Sequence, residues 1–220
     1  MHNGNINKYP AIEEYLSQSM ECHNVEVFET SAFSFQGKIH LKSESSMDFK
    51  ASFKVIDETR LSFKFEVPAA FGGRANFLSV NYKSADDEEI YGMGLQYTVW
   101  NFKGQDVPLV STEGGVGRGL QPLTKMAGID GGNELSSYGP SASYITNKRR
   151  AFIFTSHHIG MASFKENTEM IFWHATHLDG FLISAPKPID LTRIISKTIG
   201  TMKPMPEWLQ KGVVVGIVGG

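Results

Sequence analysis

The sequence lacks the usual markers of a disulfide-stapled, membrane-spanning or strongly charged protein. It has a single cysteine, Cys22, which excludes an internal disulfide framework and a cysteine-based zinc cluster. No stretch reaches the ~18 apolar residues of a spanning helix, and residues 1–20 contain no apolar core of a signal peptide. The formal net charge of −2 favours neither nucleic acid nor an anionic membrane as a partner. The compartment is therefore left unassigned.

Glycine and phenylalanine are abundant, with 22 Gly and 15 Phe in the 220 residues. This pairing suits short strands with aromatic interiors and tight turns. Residues 49–55 and 61–67 alternate apolar and polar side chains, which predicts half-buried antiparallel strands joined by a turn at 57–59. Further strands are predicted at 76–83, 90–102, 142–147, 150–156, 158–164, 169–176 and 180–184.

Two short helices and one long irregular segment interrupt the strand pattern. Helical spacing of apolar residues predicts helices at 9–19 and 189–199, the second ending at Gly200. Residues 104–141 are rich in Gly, Pro and Ser, and long irregular segments are often functional. The acidic run 86–89 and the pair Arg149-Arg150 are expected on the surface.

The last residues predict the start of a second domain. A proline-containing connector at 202–206 leads to the apolar run 213–218, which reads as a parallel strand that needs cover on both faces. We therefore predict a mainly β fold with an antiparallel β-sandwich at residues 1–200. Residues 201–220 are predicted to be a linker and the first strand of an α/β domain. The expectation is that the chain is the front portion of a longer protein.

No cofactor or metal is predicted. His174 and His177 point to opposite faces of a strand, as do His157 and His158, and no carboxylate completes a ligand set. The glycine-rich residues 114–119 lack the Gly-Lys-Ser/Thr of a phosphate-binding loop. Their glycines are expected to provide turns.

Several segments, in this order, resemble glycoside hydrolase family 31. Residues 89–97 read Glu-Ile-Tyr-Gly-Met-Gly-Leu-Gln-Tyr and are similar to the family's Glu-x-x-Tyr-Gly-x-Gly-Glu-Gln. Residues 102–109 resemble its Lys/Arg-Gly…Pro-Leu/Ile continuation, and residues 112–119 resemble its Glu-x-Gly-Val/Ile-Gly-Arg, best in the sulfoquinovosidase-like branch. Residues 204–216 look like the entry to the family's catalytic barrel.

The resemblance implies a galactose-mutarotase-like sandwich followed by a (β/α)₈ barrel, of which this chain holds only the first strand. Family members hydrolyse α-glycosidic bonds with retention, using two aspartates on barrel strands as nucleophile and acid/base. Those aspartates belong to later strands, so the resemblance implies no catalytic residue in this chain and no activity of the chain alone. The implied partner is a carbohydrate substrate, an α-glycoside.

The resemblance also nominates four substrate-binding residues: Gln96, Glu113, Arg118 and Val218. For Glu113 and Arg118 the alternative is a structural ion pair in a turn, and for Gln96 it is hydrogen bonding inside the sandwich. Val218 stands where sulfoquinovosidase-like members carry a polar side chain. Leu95 likewise replaces the family glutamate. Both departures weaken the case for sulfoquinovose or its glycerol aglycone as the substrate, and both would fit a divergent member with a different sugar specificity.

Other interpretations remain open from the sequence. The chain could be a non-catalytic carbohydrate-binding or structural β-sandwich, or a protein-interaction module. Trp100 could stack on a sugar ring or pack in a strand core. The oligomeric state is not predicted.

Overall fold

The computed structural model describes residues 22–41, 46–67, 77–111 and 134–212. These residues form twelve strands and two helices, α1 (Pro188–Ile199) and α2 (Glu207–Gln210). The predicted helix at 9–19, Glu113, Arg118 and the predicted strand at 213–218, with Val218, lie outside the described residues. The strands are β1 (Cys22–Ser31), β2 (Ser34–Leu41), β3 (Ser46–Asp57), β4 (Arg60–Glu66), β5 (Phe77–Lys83), β6 (Ile90–Gly94), β7 (Asp106–Leu109), β8 (Pro140–Thr146), β9 (Arg150–Phe154), β10 (Gly160–Ser163), β11 (Asn167–Trp173) and β12 (His177–Ser184).

Two antiparallel sheets of unequal size build the fold. The eight-stranded sheet has the order β1-β2-β3-β4-β12-β9-β8-β6, and the four-stranded sheet has the order β5-β11-β10-β7. Their buried side chains form one core, in which the ring of Phe154 contacts the rings of both Phe63 and Phe172. This confirms the predicted antiparallel β-sandwich; the division at residue 200 stays a prediction.

The register of β3 and β4 follows from their alternation. Phe53 lies opposite Phe63 and Ala51 opposite Phe65, so all four side chains share the inner face of the large sheet. The turn between these strands is held by Asp57, whose carboxylate accepts hydrogen bonds from Thr59 and Arg60. The Arg60 guanidinium, followed by Thr59, holds the pKa of Asp57 well below its usual range. The turn predicted at 57–59 is thereby confirmed.

Helix α1 covers the opposite face of the large sheet. Leu191 is buried against Ala151, Ile153 and Ile183, with Ile194 and Ile195 packed beside it. The helix ends where Gly200 adopts φ 90°, and the N–H of Gly200 donates to the Ser196 carbonyl at 2.9 Å. Both the helix and its glycine end match the prediction.

Two predictions of local structure were wrong. The strand predicted at 90–102 ends at Gly94, because residues 92–94 all adopt positive φ and turn the chain out of the sheet. Within the segment predicted to be irregular, Asp106–Leu109 forms a buried strand. This strand lies at the edge of the small sheet. Proline is tolerated at an edge because Pro108 has no backbone N–H to donate to a further strand.

The acidic run 86–89 is not wholly exposed as predicted. Glu88 is only 2% exposed, and its carboxylate accepts hydrogen bonds from Arg150 Nε at 2.8 Å and Arg150 Nη2 at 2.5 Å. Ser84 Oγ donates to the same carboxylate at 3.0 Å. Lys103 Nζ in turn donates to Ser84 Oγ at 2.9 Å. This polar network joins the start of β6 to the start of β9.

Replacing Gly94 by Ala should destabilise the fold far more than replacing Gly104. Both glycines have φ 84°, but a methyl group at Gly94 would lie 2.2 Å from the Gly139 carbonyl oxygen, whereas one at Gly104 meets nothing within 4 Å. We expect a loss of about 1–2 kcal/mol for Gly104→Ala from the left-handed backbone alone. Gly94→Ala should lose about 1–3 kcal/mol more because of the clash. Urea unfolding measures both, and equal losses would contradict the described bend.

Replacing Glu88 by Gln should remove an acid-dependent part of the stability. Burial alone would raise the pKa of Glu88, but hydrogen bonds from Arg150, Thr146 and Ser84 outweigh it and lower the pKa below its ordinary 4.5. The carboxylate therefore contributes stability that is fully present above the unfolded-state pKa. That stability is lost as the pH falls through the lower folded-state pKa.

At pH 7 we expect Glu88→Gln to cost about 2 kcal/mol, less than a fully buried pair because Arg150 keeps contact with water. The difference from the wild type should shrink as the pH falls below the ordinary pKa of 4.5, measured by urea unfolding across the pH range. Asp87→Asn is the matched control, since Asp87 bonds Lys148 at an exposed position, and should change little. A loss for Glu88→Gln that did not vary with pH would rule out this role of the carboxylate.

Candidate functional site

The candidate site is built on the bend that ends strand β6. Gly92, Met93 and Gly94 have φ 119°, 64° and 84°, a left-handed run that interrupts the β6–β8 register between Gly92 and Gly94. A positive φ is unfavourable for Met93, which is not a glycine. Its side chain is completely buried in the core. The Tyr-Gly-x-Gly motif thus has a physical reason: its glycines flank a buried anchor at a sharp turn.

The segment after the bend is fixed to residues 137–139. Leu95 N–H donates to the Gly139 carbonyl at 2.9 Å, and Ser137 Oγ donates to the Leu95 carbonyl. Gly139 N–H donates to Ser137 Oγ at 3.1 Å. Ser137 is buried, so its hydroxyl acts as an internal bracket between the two segments.

Two further hydrogen bonds tie Ser111 and Glu134 to this region. Ser111 pairs with Ser137 in an isolated parallel bridge, and Ser111 Oγ donates to the Tyr138 carbonyl at 2.7 Å. Thr98 Oγ1 donates to the Glu134 carbonyl. Ser111 and Glu134 are the described residues that flank 112–133 in the sequence.

Gln96 lies at the centre of this arrangement. Its side chain is half-buried, and Nε2 donates to the Met93 carbonyl at 3.3 Å. This is the structural role considered as the alternative for Gln96. Gln96 Oε1 accepts no hydrogen bond within the described residues, so one amide group both braces the bend and offers an acceptor.

Large hydrophobic side chains are exposed on both segments of this region. Leu95 is 57% exposed, and Tyr97 and Tyr138 are similarly exposed. Leu95 also packs over Gly139, where a methyl group would lie 3.0 Å from Leu95 Cδ1. The replacement of the family's glutamate by Leu95 therefore turns a charged position into part of an exposed apolar surface.

Aromatic and polar groups lie further along the edge of β6. Trp100 is 83% exposed, so packing in a strand core, one of its two predicted roles, does not occur. Its ring centroid is 6.1 Å from that of Tyr91. The sequence alone does not predict this contact, because it depends on the turn at 92–94 that brings Trp100 close to Tyr91.

A second concave region lies between the turn at 57–60 and the start of β9. It encloses about 570 Å³ above Leu61, Phe152 and Leu182. Its three cationic side chains, Arg60, Lys148 and Arg150, are each bonded to a carboxylate. The region therefore offers little uncompensated charge for a ligand.

The described residues contain neither a metal-ligand cluster nor a membrane-spanning helix. No group of three or more His, Cys, Asp or Glu side chains in the described ranges is placed to hold a metal ion. Within the same ranges, no helix has the length and apolar character needed to cross a membrane.

Comparisons with known proteins place the chain beside sulfoquinovosidases. It is 24% identical over 188 residues to the sulfoquinovosidase of Escherichia coli strain K12, covering 83% of this chain and 27% of that protein. It is 21% identical over 151 residues to the sulfoquinovosidase of Agrobacterium fabrum strain C58, covering 66% of this chain and 23% of that protein. The chain thus spans about a quarter of the length of these curated relatives. No protein-family profile matches the sequence.

A solved structure agrees with these matches. The glycoside hydrolase family 31 sulfoquinovosidase from E. rectale superposes with a TM-score of 0.68 at 20% identity, covering 90% of this chain and 28% of that one. The cycloalternan-forming enzyme of Listeria monocytogenes gives a TM-score of 0.52 at 14% identity, with 86% and 23% covered. These similarities confirm the relationship to glycoside hydrolase family 31 that the motifs predict and the sandwich fold that it implies.

Replacing Ser137 by Ala should loosen the candidate site. The Leu95 carbonyl and the Gly139 N–H would both lose their bond to the buried hydroxyl, at a cost of about 1–3 kcal/mol. Hydrogen exchange at the amides of residues 95–98 should accelerate. Ser111→Ala is the control, since Ser111 is exposed and should change stability by about 0.5 kcal/mol or less. Unchanged exchange in Ser137→Ala would show that the hydroxyl is not the bracket.

Proposed function

We propose that this chain supplies the N-terminal sandwich of a retaining α-glycosidase of glycoside hydrolase family 31. The proposal rests on one observation above all: the sequence similarity to the sulfoquinovosidase of Escherichia coli extends over 83% of the chain. The family's Tyr-Gly-x-Gly motif moreover falls on the left-handed bend at residues 92–94. We propose the division into a sandwich at 1–200 and a linker with the first barrel strand at 201–220 on the same grounds.

In this proposal the catalytic aspartates lie outside the 220 residues. Retaining hydrolysis needs two carboxyl groups about 5–5.5 Å apart, one to attack the anomeric carbon and one to protonate the leaving oxygen. The carboxylates near the candidate site have structural partners instead. Glu88 bonds Arg150, Asp87 bonds Lys148 and Glu89 accepts from the Tyr91 hydroxyl.

The proposed contribution of the sandwich is to the wall of the substrate pocket. Gln96 offers a carbonyl oxygen to a sugar hydroxyl while its amide nitrogen braces the bend. Glu113, Arg118 and Val218 complete the proposed contacts. The exposed Leu95 and Tyr97 would then be covered by the barrel.

The proposed substrate is an α-glycoside, and its sugar is expected to differ from sulfoquinovose. The sulfoquinovosidase from E. rectale was solved with an aza-sugar inhibitor, and the Listeria enzyme with a pentasaccharide substrate. Leu95 and Val218 are apolar where sulfoquinovosidase-like members are polar. An apolar side chain cannot hydrogen-bond a sulfonate or a glycerol hydroxyl, so these positions favour a substrate without those groups.

The first test is activity. The purified 220-residue chain should not hydrolyse 4-nitrophenyl α-D-glucopyranoside above a mock preparation, because the proposed catalytic aspartates lie outside it. The protein extended by the coding sequence beyond codon 220 should hydrolyse an α-glycoside, and proton NMR should show the α-anomer as the first product. Turnover by the short chain would overturn the proposed placement of the aspartates. A coding sequence without further strand–helix units would overturn the enzyme assignment.

The second test concerns Gln96. In the extended protein, Gln96→Ala should raise KM or lower kcat for the α-glycoside, whereas Tyr97→Phe, which keeps the aromatic ring at the neighbouring position, should leave both unchanged. Wild-type kinetics in Gln96→Ala would limit this residue to bracing the bend.

A further inference from the structure

Trp100 is held in place by backbone that is itself fixed. The Asn101 side-chain oxygen accepts hydrogen bonds from the N–H groups of Ile90 and Lys103, both at 3.0 Å. Phe102 N–H donates to the Ile90 carbonyl at 2.9 Å, and the Phe102 ring is buried in the core. The indole is nevertheless 83% exposed. An aromatic ring presented to solvent by a rigid backbone is a feature of binding surfaces.

Tyr91 and Glu89 complete a small constellation around this indole. The Tyr91 ring lies 6.1 Å from Trp100, centroid to centroid, with an angle of 58° between the planes. The Tyr91 hydroxyl donates to Glu89 Oε2 at 2.5 Å, which fixes the tyrosine ring and raises the pKa of Tyr91. Glu89 Oε1 accepts no hydrogen bond from any described residue. Two aromatic faces therefore meet at a corner beside a carboxylate oxygen to which no described residue donates.

This corner lies on the outer face of the large sheet. Tyr91 pairs with Ile145, and Ile145 packs with the cluster under helix α1 rather than with the core between the sheets. Gln96 lies beyond the end of β6. The corner and the Gln96 arrangement share no residue.

The chemistry of the corner matches a sugar ring. A pyranose has an apolar C–H face, which packs on an aromatic face, and an edge of hydroxyl groups, which donate to a carboxylate. A protein partner is the less suitable occupant, because glutamate is depleted at the centres of protein interfaces. The carboxylates of Glu89 and of nearby Asp87 disfavour an anionic sugar.

We propose that Trp100, Tyr91 and Glu89 form a binding site for neutral oligosaccharides on the outer edge of the sandwich. The site needs only residues of this chain, so it does not depend on the proposed catalysis. The aromatic side chains of the site would bind the sugar rings of a polysaccharide, whether or not the polysaccharide is hydrolysed.

The test uses the 220-residue chain, labelled with ¹⁵N, and maltoheptaose and isomaltoheptaose as probes. The chain has three tryptophans, so each indole N–H gives its own signal. At least one probe should shift the Trp100 signal in a saturable way and leave the Trp208 signal in place. Trp100→Ala should weaken binding about tenfold, the loss expected for about 1.4 kcal/mol of stacking.

Trp208→Ala is the matched control, because Trp208 is also exposed, at 69%, and lies on α2. Its affinity should equal that of the wild type. Glu89→Gln should weaken the neutral probe severalfold and lessen the discrimination against methyl α-D-glucuronide, which the wild type should bind more weakly. Thermal unfolding of Trp100→Ala should match the wild type, since its ring is exposed.

Three results would overturn the proposal: no saturable shift with either probe, equal affinity of Trp100→Ala and the wild type, or equal loss in Trp208→Ala. The first result would assign the corner to contact with another part of a longer protein. Because binding is measured without hydrolysis, failure here would leave the proposed enzyme assignment standing. Failure of that assignment would likewise leave this site testable.

Discussion

The left-handed run at residues 92–94 is the constraint on which the rest of the described site depends. A non-glycine residue in this conformation costs about 1–2 kcal/mol, and Met93 is such a residue, with φ 64°. Full burial of a methionine side chain contributes about 1.5–3 kcal/mol, enough to offset that cost. The bend is thus held in place by the core beneath it. Gly94 permits the close approach to Gly139 that a side chain would block.

This bend determines where the chain goes on both sides. It ends β6 after five residues and sends residues 95–98 across to the bracket formed by Ser137. The chain then returns, so that Phe102 is buried and bonded to Ile90 while Trp100 comes beside Tyr91. After the bend, successive side chains no longer point to opposite faces of the sheet. An alternating apolar–polar pattern therefore cannot predict the structure of residues 95–102.

Local patterns predicted the parts of the fold that are governed by local rules. Strands β3 and β4 alternate cleanly, and helix α1 has an apolar stripe and a glycine end, so both were found. Strand β7 was missed because Pro108 reads as a loop signal unless the strand is known to be an edge. The Glu88–Arg150 pair was missed because it joins residues 62 positions apart. No periodicity reports such a contact.

The candidate site shows the same division between local and long-range information. Gln96 was found through a family motif, and the structure adds what the motif cannot show: its amide nitrogen is already used by the Met93 carbonyl. Glu113, Arg118 and Val218 stay predictions. The exposure of Trp100 follows from a return of the chain that only the bend explains. Because Gln96 follows the bend and Tyr91 precedes it, a change in the glycines of the bend would act on both residues. The two proposed roles of the sandwich are therefore coupled through backbone geometry, although no side chain is shared between them.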